Sequence, residues 1–243
     1  MKTLPMIRTT ISIRRSAGPA AWAAFAVLLA AAPLHVALAQ TAPSLGSAGR
    51  YAVLSGAAVT CTGSTLSGDV GSFVPGGPVV QTGCAITGTV HPGDASAVSA
   101  SRDFLAAYNT LAALPPERCN SFLSGTLANV SLAPGVYCFG AAATVTGKLT
   151  LNGPAGGVWI FRVGTNGTGA LTGTDFSVVM SGGGRPSDVY WWVADGVTMN
   201  TSSLQGNVLA GAASTSTGGS LIGRNMARAA VTMTGLTLSA VGP

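Results

Sequence analysis

Residues 198–234 read TMNTSSLQGNVLAGAASTSTGGSLIGRNMARAAVTMT, and three triplets stand out in this stretch: Thr198-Met199-Asn200, Thr215-Ser216-Thr217 and Thr232-Met233-Thr234. Their starts are 17 residues apart. In a β-strand, residues i and i+2 share a face and the residue between them points the other way. Met199 and Met233 are therefore expected to point inward, and the threonines and Asn200 toward water. An interval of 17 residues is about one turn of a three-sided coil of short strands, so the stretch predicts a β-solenoid.

The same organisation extends toward the N-terminus with less regularity. An aliphatic-x-Gly unit recurs as Leu66-Ser67-Gly68, Ile86-Thr87-Gly88, Leu123-Ser124-Gly125, Val145-Thr146-Gly147, Leu171-Thr172-Gly173, Leu204-Gln205-Gly206 and Leu221-Ile222-Gly223. Glycine after a short strand fits a chain turning a corner where a Cβ would clash. The gaps are uneven, which suggests corners carrying loops of different length. Runs such as Val158-Trp159-Ile160-Phe161, Val189-Tyr190-Trp191-Trp192-Val193 and Asn207-Val208-Leu209-Ala210 are nearly continuously apolar. Strands of that kind are buried on both faces, so one flank needs a cover. The segment from about 94 to 114 supplies it: Asp94 is a suitable N-cap, no Gly or Pro interrupts Ala95 to Leu114, and Pro115-Pro116 stop the helix. Val98, Leu105 and Ala112, with Phe104 and Tyr108, are read as its apolar stripe.

Composition narrows the function classes. Charged residues are 8% of the 243, hydrophobic residues 47%, and glycine occurs 34 times. Such a chain has a core and is not disordered. The formal charge of +5 is concentrated at one end, because Lys2, Arg8, Arg14 and Arg15 are four of the twelve basic residues. Without them eight basic residues face seven acidic ones, so no basic footprint for nucleic acid remains. Those four charges, the apolar run Ala20 to Ala32 and Ala37-Leu38-Ala39 read as a secretory signal peptide over residues 1–39, cut before Gln40. The rival reading, a membrane anchor, is disfavoured because the run falls short of the ~20 residues a span needs. A short linker (40–47) and one domain (48–243) would follow, with no membrane attachment after cleavage. The mature protein is expected outside the cell or in a periplasm.

Export permits disulfides. Cys61, Cys84, Cys119 and Cys138 allow three connectivities, and the sequential one, Cys61/Cys84 and Cys119/Cys138, is favoured because each pair flanks one local excursion. A zinc site is the alternative, but there is no C-x-x-C, and His91 is the only histidine after the signal. No metal and no cofactor is expected.

The ordered set of motifs resembles a widespread microbial ice-binding protein family. The stretches that carry it are Leu45-Gly46-Ser47-Ala48 with Tyr51-Ala52-Val53-Leu54, Gly68-Asp69-Val70-Gly71, and Gly88-Thr89-Val90-His91 leading into the helix. Leu132-Ala133-Pro134-Gly135-Val136-Tyr137, Trp159-Ile160-Phe161, Gly206-Asn207-Val208-Leu209-Ala210, Gly223-Arg224 and Ala227-Arg228 complete the series. The resemblance implies a mostly β fold: a right-handed, three-sided, irregular β-solenoid with one long helix packed along its side. It also implies closure out of sequence order, with an N-terminal segment inserted beside C-terminal coils, and one flat face that meets ice. This chain departs from the pattern at Ala213 to Gly219, where Ser214 and Ser216 take positions expected to be aliphatic.

The grid expected on that face is Thr198/Asn200, Thr215/Thr217 and Thr232/Thr234, extended by Thr144/Thr146 and Thr60/Thr62. The partner would be an ice crystal surface and the protein a monomer. Threonine is also common on any solvated strand because of its β-propensity, so a non-catalytic adhesive or structural module binding glycan or matrix is the alternative. Catalysis is not expected. The seven acidic residues are scattered, and a nucleophilic triad would have to use His91 without a G-x-S-x-G turn. Arg224 and Arg228 are read as solvent-edge residues or partners of Asp188 or Asp195.

Overall fold

The computed structural model describes residues 40–242, so the expected signal peptide over 1–39 lies outside the described residues. From Tyr51 onward the chain winds into stacked coils in which every strand pairing is parallel. Each full coil contributes a strand to three faces.

The first face stacks seven strands, in the order Ala143–Asn152 (its first half), Leu171–Ser181 (its first half), Val197–Asn200, Ser214–Thr217, Val231–Thr234, Val59–Thr62 and Val79–Thr82. The second face runs from Val130–Leu132 through the later halves of the two long strands, then Ser203–Ala210 and Ser220–Ala227 (their first halves), Thr237–Ser239, Thr65–Ser67 and Ala85–Ile86. The third face begins at Ser121–Phe122. It continues through Gly135–Phe139, Trp159–Val163, Val189–Val193, and the later halves of Ser203–Ala210 and Ser220–Ala227, to Tyr51–Ser55, Asp69–Ser72 and Val90–Pro92.

On all three faces the strands of residues 51–67 lie on those of residues 220–239. The chain therefore starts inside the stack, builds outward to Pro92, crosses back by a helix, and stacks the remaining coils up to the point where it began.

That helix is Ala95–Ala112, capped by the Asp94 carboxylate, which accepts the Ala97 N–H. Its 18 residues span about 27 Å, comparable to six strand spacings. The buried apolar stripe is Ala97, Ala100, Phe104, Ala107, Tyr108 and Leu111, with Ser101 buried beside it. It differs from the expected stripe: Val98 and Leu105 are half-buried and Ala112 is exposed. Small alanines at three of the six contact positions bring the helix close to the sheet. Opposite them lie Leu54, Val136, Ile160, Tyr190, Trp192, Leu209 and Met226. The alternate residues of the same strands point into the solenoid, where Tyr137, Phe161 and Trp191 stack along one column, the last two with ring centres 4.0 Å apart. This two-sided burial accounts for the continuous apolar runs, and each such large side chain stabilises by ~1.5–3 kcal/mol. Trp191 and Trp192 are both buried, one on each side of the strand.

The seven aliphatic-x-Gly units do not occupy one structural place. Gly68, Gly206 and Gly223 have positive φ and sit at the same corner between the second and third faces, Gly206 and Gly223 in register on adjacent coils and Gly68 one coil further on, against Ala240. A Cβ on Gly223 would run into the backbone of Gly206. Gly173, by contrast, lies within a strand of the first face and leaves room for the Met199 side chain.

Packing also begins earlier than the expected boundary at 48: Leu45 is buried against the helix-side cluster and Gly46–Arg50 form a 3-10 turn. The Ser47 N–H and hydroxyl both donate to the Asp103 carboxylate, at 2.7 and 2.6 Å, tying this turn to the helix. Arg224 corrects the sequence reading. It is 2% exposed and meets no carboxylate among the described residues. Its guanidinium donates to the carbonyls of Gly49 and Val241 and to Asn207 Oδ1, holding the N-terminal turn and the C-terminal tail on one strand. Arg228 is exposed and lies over the Tyr108 ring at 5.4 Å. The disulfides are Cys61–Cys84 and Cys119–Cys138.

Two outcomes follow from these ties. Arg224→Ala leaves buried carbonyls and an amide oxygen without their donor, and should lower stability by about 3 kcal/mol. In a domain of this size that is a melting temperature lower by ~6–12 °C, measurable by calorimetry. The second concerns acid. The Ala97 N–H, and then the His91 side chain, hold the Asp94 carboxyl below its ordinary value, and the Ser47 hydroxyl and N–H do the same for Asp103. A carboxylate depressed in the folded state stabilises above its unfolded pKa of ~4 and loses that contribution as pH falls through the folded value. The melting temperature should therefore drop below about pH 4, and Asp103→Asn should remove part of that dependence.

Candidate functional site

The first face is built by alternation. Its strands place Leu171, Val197, Val231 and Val59 inward in one column and Met199, Met233 and Cys61 inward in another. The residues between and after them point out. Reading across the seven strands, one outward column is Thr144, Thr172, Thr198, Thr215, Thr232, Thr60 and Val80. The other is Thr146, Thr174, Asn200, Thr217, Thr234, Thr62 and Thr82. Twelve of the fourteen positions are threonine and none is charged. All are half-buried or exposed.

All ten residues of the expected grid fall on this one ladder, in register. The sequence reading missed Thr172 and Thr174, which fill the gap between Thr144/Thr146 and Thr198/Asn200, and Thr82 on the last rung. Thr172-Gly173-Thr174 carries the same triplet signal. It was hidden because 26 residues, not 17, separate Thr172 from Thr198, the difference being the longer corner loop around Gly182–Asp188. Ser214 and Ser216 keep the alternation despite their polarity: both are buried, and Thr215 and Thr217, each following one of them, point outward.

Strand spacing in a parallel sheet is about 4.8 Å and i to i+2 about 6.6 Å. The ladder is thus a two-column grid roughly 29 Å tall. Threonine is stiff at χ1, so hydroxyl and methyl positions are set before any contact. The nearest carboxylate, Asp175, lies at the corner beyond Thr174 and accepts a hydrogen bond from the Thr201 hydroxyl.

The other two faces differ. The second presents Lys148, Ser177, Ser203, Ser220 and Thr237 beside Val179 and Ile222, both 42% exposed. The third is covered by the helix.

The histidine and the carboxylates around it are engaged structurally. His91 lies between Asp94, at 2.6 Å, and Asp69, at 4.0 Å. Both carboxylates accept backbone N–H groups, from Ala97 and Thr89. Asp195 accepts the Gly169 N–H at 2.7 Å. Among the described residues, no group of three or more His, Cys, Asp or Glu side chains could hold a metal ion, and no helix is long and apolar enough to cross a membrane.

Comparison with known proteins agrees with this architecture. The model of the Ice-binding-like family matches residues 53–239. An ice-binding protein of Nostoc sp. (strain HG1) is 35% identical over 183 residues, covering 72% of this chain; the chain spans 64% of that relative's length. The crystal structure of an ice-binding protein from an Antarctic biological consortium superimposes with a TM-score of 0.74 at 33% identity, over 83% of this chain and 92% of that one. That of the Antarctic ascomycete Antarctomyces psychrotrophicus does so with a TM-score of 0.75 at 28% identity, over 84% and 100%. With the family model matched over residues 53–239 and the fold shared with these solved structures over most of its length, this chain belongs to the Ice-binding-like family.

Proposed function

We propose that the protein is exported, acts as a monomer, and adsorbs to ice through the threonine ladder of its first face, without catalysis and without a cofactor. The observation that carries this reading is the unbroken, uncharged grid running from Thr144/Thr146 to Thr62 and Thr82 across seven strands.

Each threonine offers a hydroxyl to anchor one water and a methyl to order its neighbours. Bridging waters hydrogen-bond nearly as well as direct contacts. The rigid rungs and stiff rotamers leave little freedom to lose on adsorption, so many weak contacts add over the grid. A charged side chain would hold a hydration shell of its own, and none points from the ladder. The near balance of charge after residue 39 argues against nucleic acid as a partner, and the signal-like residues 1–39 support export to the outside of the cell or a periplasm. The family's relatives named above bear the description ice-binding, which supports the same partner here.

The adhesive reading requires a groove with aromatic platforms. Trp159, Trp191 and Trp192 are all buried, and the one strongly exposed aromatic among the described residues, Phe122, lies at the start of the third face and not on the ladder, which weighs against it.

Thermal hysteresis and ice-recrystallisation assays test the proposal. The wild-type protein should shape ice crystals and slow their growth. Thr232→Tyr, one rung from the middle of the ladder, places a bulky ring above the grid and should abolish most of the hysteresis. Ser203→Tyr, on the second face, should leave it unchanged. A wild-type protein with no effect on ice would refute the reading and favour adhesion; normal activity in Thr232→Tyr would move the contact to another face.

A further inference from the structure

The columns pointing into the solenoid are mostly apolar, and one coil breaks three of them, with Ser214, Ser216 and Asn225. Ser214 interrupts the column Leu171, Val197, Val231, Val59. Asn225, eleven residues on in the same coil, interrupts the column Phe161, Trp191, Val208, Val53. Each is 1% exposed. Both line one internal cavity of about 10 Å³, with Ser202, Ser216, Val197 and Val208 in its wall. Ser214 Oγ and both amide atoms of Asn225, Oδ1 and Nδ2, lack a hydrogen-bond partner within the protein.

Buried polar atoms are paired in the great majority of cases, and three unpaired ones around a single cavity need a common partner. Ser202 is not that partner: its hydroxyl donates to the Asn200 carbonyl at 2.9 Å and accepts the Phe176 N–H at 3.2 Å. The contrast within the fold is Asn207, which is equally buried but fully engaged with Ser187, Val189 and Arg224.

We infer that the cavity is a binding site for one structural water molecule, bridging Ser214 and Asn225 behind the fourth of the seven rungs. A single water needs ~10–15 Å³ of such space and two to four polar partners, and both conditions are met. The water donates to Asn225 Oδ1 and to Ser214 Oγ and accepts from Asn225 Nδ2. A metal cation is a poor occupant, because the wall carries no carboxylate and too few free oxygens. The water takes the place of the aliphatic bulk that the neighbouring coils put at these positions. Ser214 immediately precedes Thr215, so the bridged pair sets the depth at which this rung sits. Ser214 and Asn225 are positioning residues and do not themselves touch any surface ligand.

The test is hydration measured in solution without ice, so it stands or falls independently of the proposed function. In the wild-type protein, nuclear Overhauser spectra should show long-lived water cross-peaks to the methyls of Val197 and Val208, which carry no exchangeable protons, and to the Asn225 side-chain amide. The double variant Ser214→Val/Asn225→Leu should lose those peaks, and oxygen-17 relaxation dispersion should report one fewer long-lived water. Absence of the peaks in the wild type would overturn the inference, with no variant needed. So would an atomic-resolution crystal structure in which Asn225 Nδ2 donates directly to Ser214 Oγ with no density between them. An unchanged dispersion amplitude in a folded double variant would have the same meaning.

Discussion

The structure depends on in-register parallel pairing of coils that are remote in the chain. Where Thr232 meets Thr60 and Thr234 meets Thr62, a C-terminal strand and an N-terminal strand share one hydrogen-bonded ladder. If that junction slipped by one residue, every side chain of the N-terminal coils would exchange faces. Val59 and Cys61 would turn outward and the threonines would be driven into the core. Burial of one set of residues thus enforces exposure of the other, and the uniform outer surface is a by-product of interior packing.

The helix and Arg224 maintain that junction from the far side. The first two N-terminal coils and the remaining ones are joined covalently only through the helix, which runs back along the third face and buries its alanine-rich stripe against strands from both sets. Arg224 then fastens Gly49 and Val241, residues near opposite ends of the domain, to the strand they flank. Burying a guanidinium against neutral acceptors is costly. Its three protein partners, all at the place where sequence order is broken, offset that cost where a mistake in stacking would matter most.

Much of this was legible in the residues. The 17-residue interval predicted the coils, the i, i+2 triplets predicted which threonines point out, and Asp94 with Pro115-Pro116 bracketed the helix. What escaped the reading did so for physical reasons. Thr172 and Thr174 were masked by a corner loop of different length, because loop length is free to vary at a solenoid corner while strand register is not. The helix stripe was misassigned toward the larger side chains Val98 and Leu105, whereas close approach to a flat sheet selects alanine. Arg224 looked like a surface charge because its acceptors are backbone carbonyls, which leave no mark in composition. The repeated aliphatic-x-Gly unit mixed true corner glycines with Gly173, whose role is to make room for Met199.

The position of the first coils inside the stack has a consequence for how the chain reaches its final form. Strand Val59–Thr62 cannot find one of its two neighbours until Val231–Thr234 exists, some 170 residues later. During synthesis, residues 51–92 carry an edge with no mate. Contacts of such sequence separation make folding slow, and an unpaired edge is open to a foreign strand. Short strands limit that hazard: the waiting edge offers only three to five residues at a time before a corner breaks it. The same brevity that shapes the solenoid therefore also protects it while it is incomplete.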